Sequence, residues 1–334
     1  MATPVIMWFR RDLRLTDNAA LCAAARAGGP VIPVFVMDEC VQALGAAPAW
    51  RLGLGVETLA QALEEMGSAL ILRRGEALKV MQALVAETGA KEIHWSRAYD
   101  PASQHRDAAV KSWAKEQGIK AQSHLGHLLF EPWSVSTKTG GFYKVYTPLW
   151  KSVRGSELPA PAPRPARLPA PGHWPQSDDI KSWALGARMA RGAHIVRPYL
   201  RLGEAAARAR LDHFCDALIA RYDTTRDEVF RDGTSNLSEN LALGEISPLT
   251  CWHAGQAAMQ DGKAGAETFL KELVWREFAY HLLHHTPRIA TDNWREEWDA
   301  FPWNEDEAHD HVIAWKQGRT GIRFVDAAMR EMYV

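Results

Sequence analysis

Apolar residues fall in short blocks through the first third of the chain and at helical spacing through the last third. The run VIMWF at 5–9 is too short for a helix and is bounded by Pro4 and Arg10, so it predicts a buried strand. VIPVFVM at 31–37 predicts the next strand, and the alanine-rich stretch 18–27 between them predicts a helix. The alternation continues with a helix over 52–66, a strand over 69–72, a helix over 77–88, a strand over 92–95, a helix over 101–117 and a strand over 121–124. Strands alternating with helices predict an α/β domain built on a doubly wound, Rossmann-like parallel sheet, with ligands expected at the carboxyl ends of its strands. There is no GxGxxG fingerprint, and Gly28-Gly29 follows a helix rather than a strand, so a dinucleotide site is not expected there.

Strand alternation fades after residue 200. Helical spacing over 203–220, 249–260, 264–285, 307–317 and 325–332 predicts an all-α second domain. Between the two, GSELPAPAPRPARLPAPGHWP at 155–175 carries Pro159, Pro161, Pro163, Pro165, Pro169, Pro171 and Pro175. Prolines donate no backbone hydrogen bond, so this stretch predicts an extended, semi-rigid connector. The expected organisation is an α/β domain over 1–130, a connector over 131–200 and a helical domain over 201–334.

With 334 residues, 47% of them hydrophobic, the chain can build the two cores this division needs. A formal charge of -1 announces no polyanion partner, so any contact with nucleic acid must come from a local basic patch. Cys22, Cys40, Cys215 and Cys251 form no CxxC pair, which fits reduced thiols in a cytoplasmic protein better than a disulfide scaffold or a zinc site. The start, MATPVIMWFRRDLRL, sets arginines directly after a short apolar run, the pattern of neither a signal peptide nor a membrane span. A monomer without a membrane partner is the expectation.

The stretch FLKELVWREFAYHLLHH at 269–285 is apolar enough for a core, yet it carries Glu272, Trp275, Arg276 and Glu277. At 100° per residue, Glu272, Trp275, Arg276 and Ala279 share one stripe. An unpaired glutamate is costly to bury, and a solvated face seldom carries a tryptophan, so the stripe predicts the lining of a cavity while Leu273 and Phe278 pack the domain. In GTSNLSENLALGEIS at 233–247, Thr234, Ser235 and Ser238 sit where a loop enters a helix, as simple N-caps or as donors to a phosphate. His281, His284 and His285 lie close together without an HExxH pattern, so no metal site is expected. Arg10, Arg11 and Arg14 beside Asp12 could suggest a phosphate cradle.

Six ordered motifs carry a family likeness: WFRRDLRLTDNAAL (8–21), GGFYKVYTPLW (140–150), GEAAARARLDHF (203–214), GTSNLSENLALGEIS (233–247), ELVWREF (272–278) and AWKQGRTGIRFVDAAMRE (314–331). With these, the chain resembles the DNA photolyase and cryptochrome family nearly end to end, and most closely the bacterial photolyases for cyclobutane pyrimidine dimers. The resemblance implies FAD held by the helical domain, with Tyr222, Thr234, Ser235, Asn236, Leu237 and Ser238 around its phosphates and ribose, and Phe269, Glu272 and Arg276 facing it. It implies that Glu272 bonds the bases of a dimer flipped out of damaged DNA and that Trp275 packs against them. Arg226 would contact a DNA phosphate, with Arg276 and Ala279 on the same side. Trp303 matches the outermost member of a tryptophan chain that passes electrons to the photoexcited flavin. In place of a phosphate cradle at Arg10, Arg11 and Arg14, the resemblance implies structural ion pairs with Asp12 at the sheet edge.

An antenna chromophore is implied as well, methenyltetrahydrofolate or a deazaflavin; Tyr99-Asp100-Pro101 does not give the folate-binding pattern. The implied activity is light-driven repair of cyclobutane dimers by electron transfer from reduced FAD, by a carbon-carbon lyase. A (6-4) photolyase, a blue-light receptor without repair activity and an inactive fragment are the alternatives. Trp275 favours cyclobutane-dimer repair, since many signalling relatives replace it. Two departures stand out. Ile322-Arg323-Phe324 replaces the usual tyrosine and proline, and family members continue past the position of Val334 through an HNR motif, an aspartate facing the flavin and two inner tryptophans. The expectation is therefore an incomplete FAD-binding domain with apolar surface exposed.

Overall fold

The structure, a computed structural model, describes residues 2–333. Its first part follows the order β1 (Val5–Phe9), α1 (Ala19–Arg26), β2 (Val31–Met37), α2 (Glu39–Gln42), α3 (Ala46–Glu64), β3 (Ile71–Arg74), α4 (Ala77–Thr88), β4 (Glu92–Ser96), α5 (Pro101–Glu116) and β5 (Lys120–His124). All strand pairs are parallel and the sheet order is β3-β2-β1-β4-β5, the doubly wound arrangement expected from the alternation. Every residue of β1 and β2 is buried, which is why both read as continuous apolar runs.

The period of two decides which core each side chain joins. Val5, Met7 and Phe9 pack with Leu52, Val56, Leu59 and Leu63 of α3, whereas Ile6 and Trp8 pack with Val80, Met81 and Leu84 of α4 and Val110 of α5. Side-chain caps start α1 and α5: Asn18 accepts from Leu21 N, and Asp100, just before Pro101, accepts from Ser103 N at 2.9 Å. Strand β3 lies two residues later than the pattern suggests, since Leu70 and Ile71 are both buried and periodicity alone does not fix the register.

The proline-rich stretch is extended but not free. Val31 N donates to Pro169 O, Asp17 and Ala162 exchange hydrogen bonds, and Leu168 and Trp183 are buried in the core on the α3 side of the sheet. Before it, α6 (Tyr146–Val153) buries Leu149, Trp150 and Val153 in the core of the helical part; after it comes the short helix α7 (Arg191–Val196).

The remaining helices are α8 (Gly203–His213), α9 (Tyr222–Thr225), α10 (Ser238–Leu243), α11 (Pro248–Gln260), α12 (Ala266–His285), α13 (Asp310–Lys316) and α14 (Arg323–Tyr333). The single helix predicted over 203–220 ends at His213 and widens over Phe214–Leu218. Cys215 O takes a bond from Lys263 Nζ at 2.6 Å, and the widened turn brings Phe214 against Tyr222 and Phe269. Among the described residues, no helix is long and apolar enough to cross a membrane.

Buried polar bonds tie the helical part to the sheet. Arg14, 2% exposed, donates to Asp17 O, Gly126 O at 2.6 Å and Gly244 O at 3.0 Å. Arg51 of α3 forms a two-bond ion pair with Glu245 at 2.9 and 2.6 Å. Asp12 differs from the expected ion pair with a neighbouring arginine. It accepts from Arg10 N and Ser96 Oγ, while the Arg10 guanidinium reaches across to Asp107 on α5 at 2.5 Å. The reason is direction: the chain turns after β1, so the Arg10 side chain points over the sheet toward α5.

Candidate functional site

Helix α12 supplies two different faces. Leu270, Leu273, Val274, Glu277, Phe278 and His281 are buried, whereas Trp275 is 46% exposed and Ala279 is also open to solvent. Glu272 lies beside them, a third exposed, and forms an ion pair with Arg226. That hydrogen bond holds the Arg226 guanidinium above its ordinary value. Arg226 also lies over the Tyr222 ring, 5.5 Å from its centroid. The carboxylate and guanidinium of Glu272 and Arg226 therefore lie on the same side of α12 as the exposed indole of Trp275.

Arg276 leaves that stripe. Its guanidinium swings to the seam with the α/β part, donating to His127 O at 2.7 Å and His127 Nε2 at 3.0 Å. Tyr280 Oη meets the same nitrogen at 2.8 Å. A guanidinium cannot accept, so Nε2 must be the unprotonated nitrogen of a neutral His127, in keeping with burial holding this imidazole well below its ordinary value. Glu277, the polar residue that belongs to no face in the sequence pattern, accepts from Leu129 N at 2.7 Å and Phe130 N at 3.2 Å. Burial raises its carboxyl to about 7.

Behind the exposed face, Tyr222 and Phe269 are core residues, packed edge to face with each other at 6.2 Å and both against Phe214. The loop before α10 adjoins them: a Cβ on Gly233 would lie 2.9 Å from Thr225 O, so glycine lets the loop close onto α9. Asn236 adopts φ +51° and donates through Nδ2 to Asp232, its Oδ1 accepting from Thr234 Oγ1 at 3.2 Å. Leu237 is buried, while the hydroxyls of Ser235 and Ser238 have no partner among the described residues. Two free hydroxyls at a loop entering a helix suit a phosphate oxygen, so the donor set fits the pyrophosphate of a dinucleotide cofactor.

Trp303 stands apart. It is 58% exposed and its ring contacts Phe301 at 4.5 Å, with no ring contact to Trp275 or Phe269 among the described residues. The three histidines are engaged locally. His281 accepts from Tyr143 N and donates to Pro132 O, and His285 stacks on Phe142 at 4.7 Å.

Sequence reasoning passed over a concave feature elsewhere in the fold. A cavity of about 180 Å³ opens at the carboxyl ends of β1, β2 and β4, lined by Phe35, Val36, Tyr99 and, from α12, Tyr280. Arg10 and Arg106 bracket the Trp8 ring beneath it, 4.8 and 4.9 Å from its centroid, and are neutralised by Asp107 and Asp38. The only signal in the sequence was the general rule that ligands sit at this edge of a parallel sheet.

The family profile described as DNA photolyase matches residues 5–168, and that described as FAD binding domain of DNA photolyase matches residues 269–334. A deoxyribodipyrimidine photo-lyase of Agrobacterium fabrum is 42% identical over 332 residues, spanning 99% of this chain and 69% of that protein. Cryptochrome-2 of Arabidopsis thaliana is 30% identical, spanning 100% of this chain and 57% of that protein. The crystal structure of a bacterial class III photolyase from Agrobacterium tumefaciens matches with a TM-score of 0.93 at 40% identity, over 100% of this chain and 69% of that one. Sheet order, helical domain and matched profiles agree, and the chain belongs to the DNA photolyase and cryptochrome family.

Proposed function

We propose that this protein binds FAD and repairs cyclobutane pyrimidine dimers in DNA under light, as a carbon-carbon lyase. The observation that carries the proposal is the grouping of Glu272, Trp275 and Arg226 on one accessible side of α12, with Arg226 lying over Tyr222, which packs on Phe269. Each group suits one part of the substrate: an indole offers a π-face to an extruded base, a carboxylate reaches a base edge, and a guanidinium neutralises a phosphate. A weakly stacked lesion is the cheapest base to extrude, which gives this face a means of selection.

Thr234, Ser235, Asn236, Leu237 and Ser238, with Tyr222 and Phe269, are the residues we assign to the cofactor, whereas Arg276 would reach it only by leaving its partner His127; when bound, reduced FAD supplies the photoexcited electron. Ala279, small and exposed beside Trp275, leaves room for DNA to approach. Trp303 is assigned to electron supply from the surface. A second, light-harvesting chromophore is assigned to the cavity at the sheet edge, where apolar walls and paired charges suit a planar ring. A folate and a deazaflavin both meet that description.

Glu272→Ala tests the site. The Glu272–Arg226 pair is partly solvated, with side chains 33% and 29% exposed, so its loss costs the fold no more than about 1 kcal/mol. Repair yield on a dimer-containing oligonucleotide should fall about fivefold or more while flavin content is kept, since one base contact is worth roughly 1–3 kcal/mol. Equal loss of both would make Glu272 a structural partner only. The receptor reading, which the likeness to a cryptochrome favours, predicts flavin binding and a light-induced flavin radical with no preference for irradiated DNA.

A further inference from the structure

The motif GGFYKVYTPLW has no role in the reading above, yet it places a ring against the exposed tryptophan of the site. Tyr146 of α6 and Trp275 of α12 stack with centroids 3.7 Å apart and planes within 7°. Phe278 closes the edges of both, 6.1 Å from Tyr146 and 5.8 Å from Trp275. Tyr146 Oη donates to Lys271 O at 2.8 Å. That carbonyl lies one helical turn before Trp275 and is the one that accepts the Trp275 N–H within α12. The phenol is thus fastened to the same turn that carries the indole. Helix α6 is anchored in its turn by Leu149, Trp150 and Val153, all buried in the helical core.

From this geometry we infer that Tyr146 is a positioning residue that fixes the plane of Trp275, a role that rests on the site reading above. A half-exposed tryptophan on a helix would otherwise move among rotamers, and binding a base against it would carry the entropy of stopping that motion. With one face held by Tyr146 and Phe278 packed against it at a steep angle, the indole keeps a single orientation and offers its opposite face, which carries no further ring contact among the described residues. Tyr146 touches no substrate; it acts through Trp275. The two rings lie nearly parallel at contact distance, so the phenol covers one face of the indole and blocks the rotamers that would swing it through that space.

The test is a double-mutant cycle on the FAD-loaded protein, with Tyr146→Leu, Trp275→Ala and the pair, read as affinity for an oligonucleotide with and without a thymine dimer. Tyr146→Leu should weaken dimer binding about tenfold and leave undamaged DNA and flavin content unchanged. Tyr146→Phe, which keeps the stack, should stay within about threefold of the parent. In the Trp275→Ala background, Tyr146→Leu should cost nothing more, because its effect passes through the indole. Should leucine unfold α6, Tyr146→Met fills similar volume with a flexible chain and carries the same comparison. Additive losses in the cycle, or equal losses on damaged and undamaged DNA, overturn the positioning role. Trp275→Ala with unchanged discrimination overturns the site reading itself, and Tyr146 with it; an effect of Trp275→Ala without one of Tyr146→Leu overturns Tyr146 alone.

Discussion

Arg51→Met should be among the most damaging single substitutions outside the hydrophobic cores. Arg51 donates through both terminal nitrogens to Glu245, at 2.9 and 2.6 Å, and through Nε to Glu239 at 2.9 Å. The Glu245 side chain is 0% exposed, and its remaining donor is Asn240 Nδ2 at 2.6 Å. Methionine fills much of the space but leaves the carboxylate buried with one neutral partner, the situation that costs about 3–5 kcal/mol when a buried ion pair loses one member. Two charge-assisted bonds at roughly 1.5–3 kcal/mol each give the same range. The Glu239 bond adds less than about 1 kcal/mol because that side chain is partly solvated, 26% exposed. Such a loss is a large fraction of an ordinary folding free energy of about 5–15 kcal/mol. With a urea dependence of about 3 kcal/mol per molar, the midpoint should fall by roughly 1 M or more. Amide exchange should quicken first in α10, which loses its tie to α3 and carries Ser238 of the cofactor loop. Adding Glu245→Gln to Arg51→Met removes the orphaned charge and should recover part of the loss. A single-variant cost under about 1 kcal/mol, or a double variant no more stable than Arg51→Met, would refute the reasoning.

Gly244→Ala should cost about 3 kcal/mol or more, read as a lower thermal midpoint or loss of soluble protein. Gly244 has φ +67°, and a Cβ there would lie 2.1 Å from Arg11 O and 2.7 Å from the Asp12 Cα, backbone atoms with no room to move. A midpoint within a degree of the parent would show that the seam is slack. Glu277 and His281 should give opposing pH dependences. Burial raises the Glu277 carboxyl from 4.5 to about 7, so its contribution is complete at low pH and is lost as pH rises through that window. Burial lowers His281 from 6.5 to about 4, so its contribution is present above 6.5 and is lost as pH falls. Glu277→Gln should therefore steepen the loss of stability between pH 6.5 and 5 by on the order of 1–3 kcal/mol; a profile parallel to the parent's would refute the assignment.

The sheet was legible because its information is local. VIMWF and VIPVFVM are strands wherever a two-residue period and a buried location apply, and the alternation with helices implies parallel order. The chemistry of the candidate site was legible for a similar reason: Glu272, Trp275 and Ala279 fall on one stripe of one helix, at spacings a helix fixes by itself. The arrangement of Arg276 could not be read that way. Its Cα lies near the stripe, but a guanidinium on a long, flexible chain goes to its best partner, and His127 is 149 residues away in sequence. The same separation hid Arg51 with Glu245, Glu277 with the loop after β5, and Tyr146 under Trp275.

The sequence alone determined the alternation of strands and long helices in the first part and the helical character of the last, the apolar run of α12, and which residue types are on hand for a base, a phosphate and a flavin. Tertiary structure decided which polar groups are spent on holding the protein together and which stay open to a ligand. Periodicity constrains neighbours within a few residues along one element, whereas a buried charge or a stacked ring takes its partner from whichever distant segment the fold brings within 4 Å of it.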